Sequence, residues 1–225
     1  MTSPPDQRIP AGLARIGLVL RHHAWAAAGE RGLTPTQSQL LAFLDARHRD
    51  GLPVSTLAAE LALSQPTVSD AVAALDRKGL VARSRSGDDG RVVLVRLTAR
   101  GRREAGHASR WPDFLLRAID SLDADERAAF LRGLVKMIHS LQEDGQIPVS
   151  RMCPSCDYFR PHAHTDRERP HHCAYVDAPI GDADLRIDCG DHRTADANER
   201  PRLWRLFIGG RPPGADVPHP ALPES

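Results

Sequence analysis

Apolar residues recur every three or four positions through the first eighty residues, which is the spacing of helices that bury one face. The pattern predicts a first helix over residues 8 to about 28 and a second that opens at Thr34-Pro35-Thr36. A third helix begins near Pro53, and Ser64 is the expected N-cap of a fourth. The buried face of this fourth helix is predicted to contain Val68, Ala71, Val72 and Leu75.

The hydrophobic period changes after Lys78-Gly79. Residues 81–86 and 92–98 alternate between apolar and polar positions, with the polar turn Gly87-Asp88-Asp89-Gly90 between them, so we predict a β-hairpin with a charged tip. Short helices followed by such a hairpin are the parts of a winged helix-turn-helix. The fold class is therefore mainly α with a small β component (α+β).

More helices are predicted after the hairpin. A helical pattern runs from Ala99 to about Ser121 with an interruption near Trp111-Pro112, and Asp123-x-x-Glu126 resembles a capping box that opens another helix. The apolar stripe of that last helix consists of Phe130, Leu134, Ile138 and Leu141. We interpret the long helices on both sides of the winged helix as dimerisation helices.

The composition is that of a soluble globular protein, with 41% hydrophobic and 26% charged residues. No early apolar run approaches the roughly 20 residues that span a bilayer, and the polar start is unlike a secretory signal. We therefore expect a cytoplasmic protein without a membrane partner. The net charge is only +1, but residues 53–110 carry ten Arg and Lys against six Asp and Glu, a basic excess where DNA would need it.

Several short motifs occur in a specific order: Leu33-Thr34-Pro35-Thr36-Gln37, Leu57-Ala58, Ser64-Gln65-Pro66-Thr67-Val68-Ser69, Leu75 to Val81, and Asp89-Gly90-Arg91 leading to Leu97-Thr98-x-x-Gly101. With these motifs, residues 8–145, roughly 60% of the chain, resemble the MarR family of bacterial regulators. The resemblance implies a homodimer on a pseudo-palindromic operator in double-stranded DNA. It also implies a small-molecule effector, an aromatic carboxylate, near His22, His23 and Trp25, although such side chains more often pack at an interface.

The first turns of the fourth helix carry short polar side chains that can reach base edges or phosphates in the major groove. We expect Gln65 and Thr67 to read bases; the alternative is that Ser64 only caps the helix and Thr67 only packs. The resemblance implies that Arg91 enters the minor groove and that Asp89 orients it, while the two hairpin arginines would contact phosphates. The predicted DNA-binding residues are Ser64, Gln65, Thr67, Ser69, Arg83, Arg85, Asp89 and Arg91.

All four cysteines follow the winged helix, spaced Cys153-x2-Cys156-x16-Cys173-x15-Cys189. In a reducing compartment such clustering indicates metal or redox chemistry rather than disulfides. The close pair suits zinc and iron–sulfur sites alike, but the two single cysteines depart from zinc-ribbon spacing. We predict a four-cysteine iron–sulfur cluster, [4Fe-4S] or [2Fe-2S], with structural zinc as the alternative and free thiols or a redox disulfide third. Mixed ligation stays open for His162, His164, His171, His172 and His192.

The predicted domains are residues 8–145, the winged helix with its dimerisation helices; residues 146–209, a loop-rich metal-binding segment; and residues 210–225, a disordered proline-rich tail. Residues 203–208 are expected to pack over the metal site or the dimerisation helices. The predicted function is a DNA-binding transcription regulator whose cluster is a redox or iron sensor.

Two other functions compete with this one. The first is a MarR-like regulator with structural zinc that responds to a small organic ligand. The second is a metal-dependent redox enzyme fused to a DNA-binding arm. The sequence has no P-loop, Rossmann glycine pattern, HExxH motif or nucleophile elbow, so we predict that the chain is not an enzyme.

Overall fold

The computed structural model describes residues 5–47, 51–85, 92–108 and 112–210. The chain divides into two compact units, Met1–Leu116 and Arg117–Ser225. The helices of the first unit are α1 (Pro5–Glu30), α2 (Pro35–Arg47), α3 (Val54–Glu60), α4 (Gln65–Arg77) and α5 (Ala99–Ala108), and α6 (Asp113–Asp120) crosses the boundary. Its strands are β1 (Leu52–Pro53), β2 (Val81–Arg85) and β3 (Val93–Leu97).

The three strands form an antiparallel sheet in the order β1-β3-β2. The predicted hairpin is present, with Val81 opposite Leu97 and Arg85 opposite Val93. Strand β1, in which Leu52 lies opposite Val95, was not predicted, because two residues are too few to show an alternation. The mainly α, winged-helix fold class is confirmed.

The core of the first unit is built from the faces that the periodicity predicted. Val68, Ala71, Val72 and Leu75 of α4 are buried. They pack in one cluster with Leu40 and Leu44 of α2, Leu57 of α3, and Val81 and Val95 of the hairpin. Helix α4 therefore has one orientation in the unit, because its whole apolar face is covered.

The second unit contains α7 (Ala124–Glu143), β4 (Phe159–Arg160), β5 (His171–Cys173), β6 (Ala178–Ile180) and α8 (Glu199–Gly209). Two short 3-10 helices are at Cys153–Ser155 and Asp182–Asp184. The capping box at the start of α7 is present: the Glu126 amide donates to Asp123 Oδ1 at 2.8 Å, and the Asp123 amide donates to Glu126 Oε2 at 2.9 Å. The strands form an antiparallel sheet in the order β4-β5-β6.

The second unit has its own apolar core, in which Val135 of α7 and Phe207 of α8 meet Met152, Phe159 and Leu185. Helix α8 contains the predicted apolar stretch 203–208. The sequence placed α7 with the winged helix by a boundary at residue 145, whereas α7 shares a core with the cysteine segment. The periodicity of α7 identifies an apolar face but not the segment that covers it.

Two further findings concern the C-terminal residues and the length and apolar character of the helices. Residues 211–225, most of the predicted proline-rich tail, lie outside the described residues. Among the helices of the described residues, none is both long and apolar enough to cross a membrane.

Candidate nucleic-acid interface and cysteine site

The first turn of α4 presents polar side chains to solvent because the opposite face of the helix is buried. Ser64 is the N-cap: its Oγ accepts the Thr67 amide at 3.2 Å and lies 2.7 Å from Thr67 Oγ1. Gln65, Thr67 and Ser69 are exposed. The capping interaction ties Ser64 and Thr67 to each other, so Gln65 and Ser69 are the members of the predicted set whose polar groups are most available to a base edge.

The hairpin adds two basic side chains, one of which contacts the C-terminal end of α4. Arg83 and Arg85 lie two residues apart on β2 and therefore point to one face of the sheet, and both are exposed. Arg83 Nε is 3.4 Å from Asp76 Oδ2 on α4. Such an exposed pair contributes little stability, so Arg83 can exchange Asp76 for a phosphate at low cost. The predicted wing-tip residues Asp89 and Arg91 lie outside the described residues.

The basic residue that ends α4 has a structural contact that the sequence analysis missed. Lys78 Nζ donates to Gly32 O at 2.5 Å and to Gln37 Oε1 at 2.8 Å. Gln37 is buried and completes a capping box with Thr34: the Gln37 backbone amide donates to Thr34 Oγ1 at 3.2 Å, and Gln37 Oε1 accepts the Thr34 amide at 3.3 Å. Thr34-x-x-Gln37 has the spacing of a capping box and would have identified the cap of α2, but no local pattern marks the contact with Lys78.

The proposed effector residues lie on α1 and are not enclosed in the single chain. Trp25 is 60% exposed. The ring of His23 stacks on Phe114 of α6, with 4.2 Å between the ring centroids. A small-molecule site at His22, His23 and Trp25 stays a prediction.

All four cysteines line one cavity of about 440 Å³ in the second unit. Backbone pairing brings them together: the Cys153 amide donates to Arg186 O at 3.2 Å, and the Cys189 amide donates to Arg151 O at 3.0 Å. Cys173 lies at the end of β5, where it pairs with Phe159 of β4, three residues after Cys156. The two long gaps in the cysteine spacing are thus closed by strand and loop pairing.

The four cysteines are free thiols. Burial raises the pKa of Cys153 to about 11, although the Arg186 amide donates a hydrogen bond to its Sγ at 3.2 Å and opposes the shift. The negative charge of the other three thiolates would raise the Cys153 pKa further. Four thiolates can share this cavity only if a cation compensates their charge.

The geometry of the side chains restricts what could be bound. Among the described residues, no group of three or more His, Cys, Asp or Glu side chains is arranged to hold a metal ion. The cavity lining includes no histidine. The nearby imidazoles have other partners; for example, His192 Nε2 is 3.1 Å from Ser155 Oγ. The sulfur donors of the cavity are therefore the four thiols, and the carboxylates of Asp184 and Asp191 also line it.

Comparison with known proteins identifies the first unit. Residues 31–92 match the model of the MarR family. This region is similar to the winged helix-turn-helix of the MarR family. FabT of Streptococcus pneumoniae, solved in complex with DNA, is 26% identical with a TM-score of 0.54, over 61% of this chain and 97% of that one. S. aureus MepR, also solved as a DNA complex, is 26% identical with a TM-score of 0.53, over 59% of this chain and 97% of that one.

A curated relative agrees with this assignment. The HTH-type transcriptional regulator YdgJ of Bacillus subtilis, itself uncharacterized, is 27% identical over 111 residues, which are 49% of this chain. The match spans 66% of YdgJ, slightly less than two thirds. The chain is thus similar to MarR-family winged-helix proteins, and its curated relative is named as a transcription regulator rather than an enzyme, in agreement with the sequence prediction.

The MarR-family match contains Ser64, Gln65, Thr67, Ser69, Arg83, Arg85, Asp89 and Arg91. It ends before the first cysteine, Cys153. The cysteine site therefore lies outside the region that the family model matches.

Proposed function

We propose that the chain is a homodimeric regulator of transcription that binds a pseudo-palindromic operator, and that its four cysteines hold an iron–sulfur cluster that modulates this binding. The observation that carries the proposal is the combination, in one chain, of a MarR-family winged helix and four free thiols around one cavity. The small signal-sensing part would thus be linked covalently to the DNA-binding part.

DNA binding is supported by the surface of α4 and β2. The exposed first turn of α4 can enter the major groove, which admits a helix, while Arg83 and Arg85 lie on the adjacent hairpin. The two structural relatives in complex with DNA have the same fold. Base recognition falls mainly to Gln65, because an amide can make a bidentate contact with adenine.

Replacing Gln65 with alanine is expected to weaken specific DNA binding by about tenfold to a hundredfold, the value of one good base contact. The probe is a duplex selected from a random-sequence library by the unaltered protein, and affinity is measured by fluorescence anisotropy at fixed salt. Affinity for unselected duplex should not change, because that binding depends on phosphate contacts.

The matched control is Gln146→Ala, which removes an exposed glutamine in the turn after α7. Arg85→Ala should lower affinity for selected and unselected duplex by the same factor and should reduce the salt dependence. If Gln65→Ala lowers both affinities equally, Gln65 does not read a base.

Homodimer formation is supported by apolar side chains that the single chain leaves exposed. On α7, Phe130, Met137 and Leu141 are more than 40% exposed and are spaced by seven and four residues, so they form one stripe. Helix α1 has a second set, which contains Ile9, Ile16, Leu18, Val19 and Trp25. Exposed apolar surface of this kind is typical of an interface, and a second copy of the chain is the occupant that the family implies.

Replacing Met137 with glutamate is expected to convert the dimer largely to monomer at micromolar concentration, because a charge would be buried without a partner. The measurement is sedimentation velocity. Ala129→Glu is the control and should remain dimeric, because it adds the same charge at an exposed position of α7 that is not three or four residues from any member of the stripe. An unchanged sedimentation coefficient for Met137→Glu contradicts the assignment of this stripe to the interface.

The cluster is supported by the arrangement of the thiols. In a tetrahedral zinc site with Zn–S bonds of about 2.3 Å, the sulfurs lie about 3.8 Å apart around one point. In a cluster each thiolate can bind a different iron, so the sulfurs surround a larger volume. Four free thiols line one cavity, and the two single cysteines depart from the spacing of zinc ribbons, so we favour a cluster, which would supply redox or iron-dependent chemistry when bound. Structural zinc is the second candidate, since the Cys153-x2-Cys156 pair suits either group.

A further inference from the structure

One carboxylate in the second unit joins helix α7 to the strand that carries a cysteine. Asp182 Oδ1 and Oδ2 accept hydrogen bonds from Arg132 Nη1 at 3.0 and 3.2 Å. Asp182 Oδ1 also lies 3.1 Å from His171 Nε2. Arg132 belongs to α7, and His171 is the first residue of β5, whose last residue is Cys173. The Asp182 carboxylate therefore joins α7 to a residue two positions before Cys173.

The tautomer of His171 follows from its other hydrogen bond. The His162 amide donates to His171 Nδ1 at 3.1 Å, so the ring proton is on Nε2 and is donated to Asp182. His171 is fully buried, which prevents water from replacing either bond. The imidazole thus has a single orientation between β5 and Asp182.

Arg132 has a second contact that holds it to α8. Its Nη2 donates to Phe207 O at 2.9 Å, and its guanidinium carbon lies 4.6 Å from the centroid of the Phe207 ring. Burial by itself would raise the pKa of Asp182, but the hydrogen bond from His171 and the charge of Arg132 outweigh it and hold that pKa below its usual value. The carboxylate is therefore ionised at neutral pH and paired in a partly buried position, where such bonds are stronger than on the surface.

We propose that Arg132, Asp182 and His171 are positioning residues whose hydrogen bonds form a coupling bridge. Through this bridge, the filled or emptied state of the cysteine site controls the position of helix α7 in the second unit. The identity of the group held by the thiols rests on the proposed function, but the bridge does not depend on it. When the site is filled, Cys173 holds β5 in place and the bridge is intact. When the site is emptied, β5 loosens in part, the bridge is weakened but still restrains the strand that carries Cys173, and α7 is held less firmly.

The loosening of α7 would have a defined consequence because the helix has two apolar faces. Leu131, Val135 and Ile138 pack in the core of the second unit. The stripe of Phe130, Met137 and Leu141 is exposed, about a quarter turn away on the helix. A small rotation of α7 would therefore reorient the surface that we assign to the homodimer, and an interface of this kind has discrete rather than continuous arrangements.

The test uses the full chain with Arg132 replaced by methionine, which keeps the aliphatic part of the side chain and removes the charge. Two quantities are measured by mass spectrometry: the alkylation rate of Cys173 by iodoacetamide in reduced, chelator-treated protein, and hydrogen exchange of the α7 backbone before and after chelation. We expect alkylation about tenfold faster than in the unaltered protein, since local opening becomes easier. We also expect α7 exchange that no longer responds to chelation.

Arg127→Met is the matched control, because Arg127 also lies on α7 but contacts residues before the helix: it donates to Leu122 O and Asp120 O and lies 3.7 Å from Asp120 Oδ1. Asp182→Asn is a second variant that keeps the shape of the bridge and removes its charge; it should have the same effect as Arg132→Met. Alkylation at the unaltered rate in both bridge variants overturns the coupling bridge, as does an equal effect of Arg127→Met.

The two proposals fail in different ways. If the unaltered protein contains neither iron nor zinc but Arg132→Met accelerates alkylation of Cys173, the cluster is wrong and the bridge stands. If the protein contains a cluster but the bridge variants alkylate at the unaltered rate, the cluster stands and the bridge is wrong.

Discussion

Replacing Cys173 with serine is expected to remove almost all bound metal from protein purified without oxygen. Cys173 is the thiol contributed by β5, and a serine hydroxyl there is a far weaker ligand than a thiolate for iron or zinc. The other three cysteines would remain in the cavity, one thiolate fewer than a four-cysteine cluster or zinc site needs. The measurements are the visible absorption spectrum and analysis of iron, acid-labile sulfide and zinc.

The control is Tyr175→Phe, which changes a residue of the same cavity lining without removing a thiol. Brown protein with iron and sulfide in matching amounts, lost in Cys173→Ser and kept in Tyr175→Phe, would support the cluster. Colourless protein with about one zinc per chain would replace the cluster by the structural zinc site and turn attention to an organic effector. Protein with neither metal would contradict both.

If the cluster is present, its removal should also change DNA affinity. The same selected duplex can be titrated with anaerobic and chelator-treated protein, and a change of about fivefold or more corresponds to an ordinary allosteric coupling. Equal affinities of the two forms would leave the cluster as a structural group and contradict its role as a sensor.

Replacing Gly101 with alanine is expected to destabilise the winged helix severely. A Cβ atom at this position would lie 1.8 Å from Leu80 O and 2.9 Å from Leu80 C, which are backbone atoms that cannot rotate away. Leu80 O also accepts the Thr98 amide at 3.1 Å, so a shift would break the contact that joins β3 to the end of α4. Overpacking of this kind costs roughly 1–3 kcal/mol or more, a large part of the stability of a small domain.

The measurement is thermal unfolding followed by circular dichroism, in parallel with binding to the selected duplex. Gly106→Ala is the matched control: it lies on the same helix α5, no atom is within 4 Å of its added Cβ, and it should stabilise the unit by roughly 0.5–1 kcal/mol. Similar melting temperatures for the two variants would contradict the packing of α5 against the turn at Leu80.

The elements that carry DNA recognition could be predicted well from the sequence because their signals are local. Ser64 caps α4 through an atom three residues away, and Asp123 and Glu126 cap α7 in the same way. The apolar face of α4 was predicted in full, since a helix shows its buried face as a repeat of three or four residues. The alternation of the hairpin is equally local.

The second unit was harder to predict because its elements are short. Strands β4, β5 and β6 have two or three residues each, too few for a period, and histidines and cysteines supply much of β5. The contact of Lys78 with Gln37 joins residues 41 positions apart. The capping-box spacing at Thr34 predicts the cap of α2 but not this contact.

The sequence by itself determined the MarR-like order of helices and hairpin, the cap and polar first turn of α4, and the confinement of all cysteines to residues 153–189, because these are properties of neighbouring residues. Only the tertiary structure decided that the four thiols line one cavity, that α7 shares the core of the cysteine segment, and that Asp182 joins Arg132 to His171. Those features depend on which distant segments pair and bury each other's surface. The periodicity of apolar residues along the chain does not indicate which segments will pair.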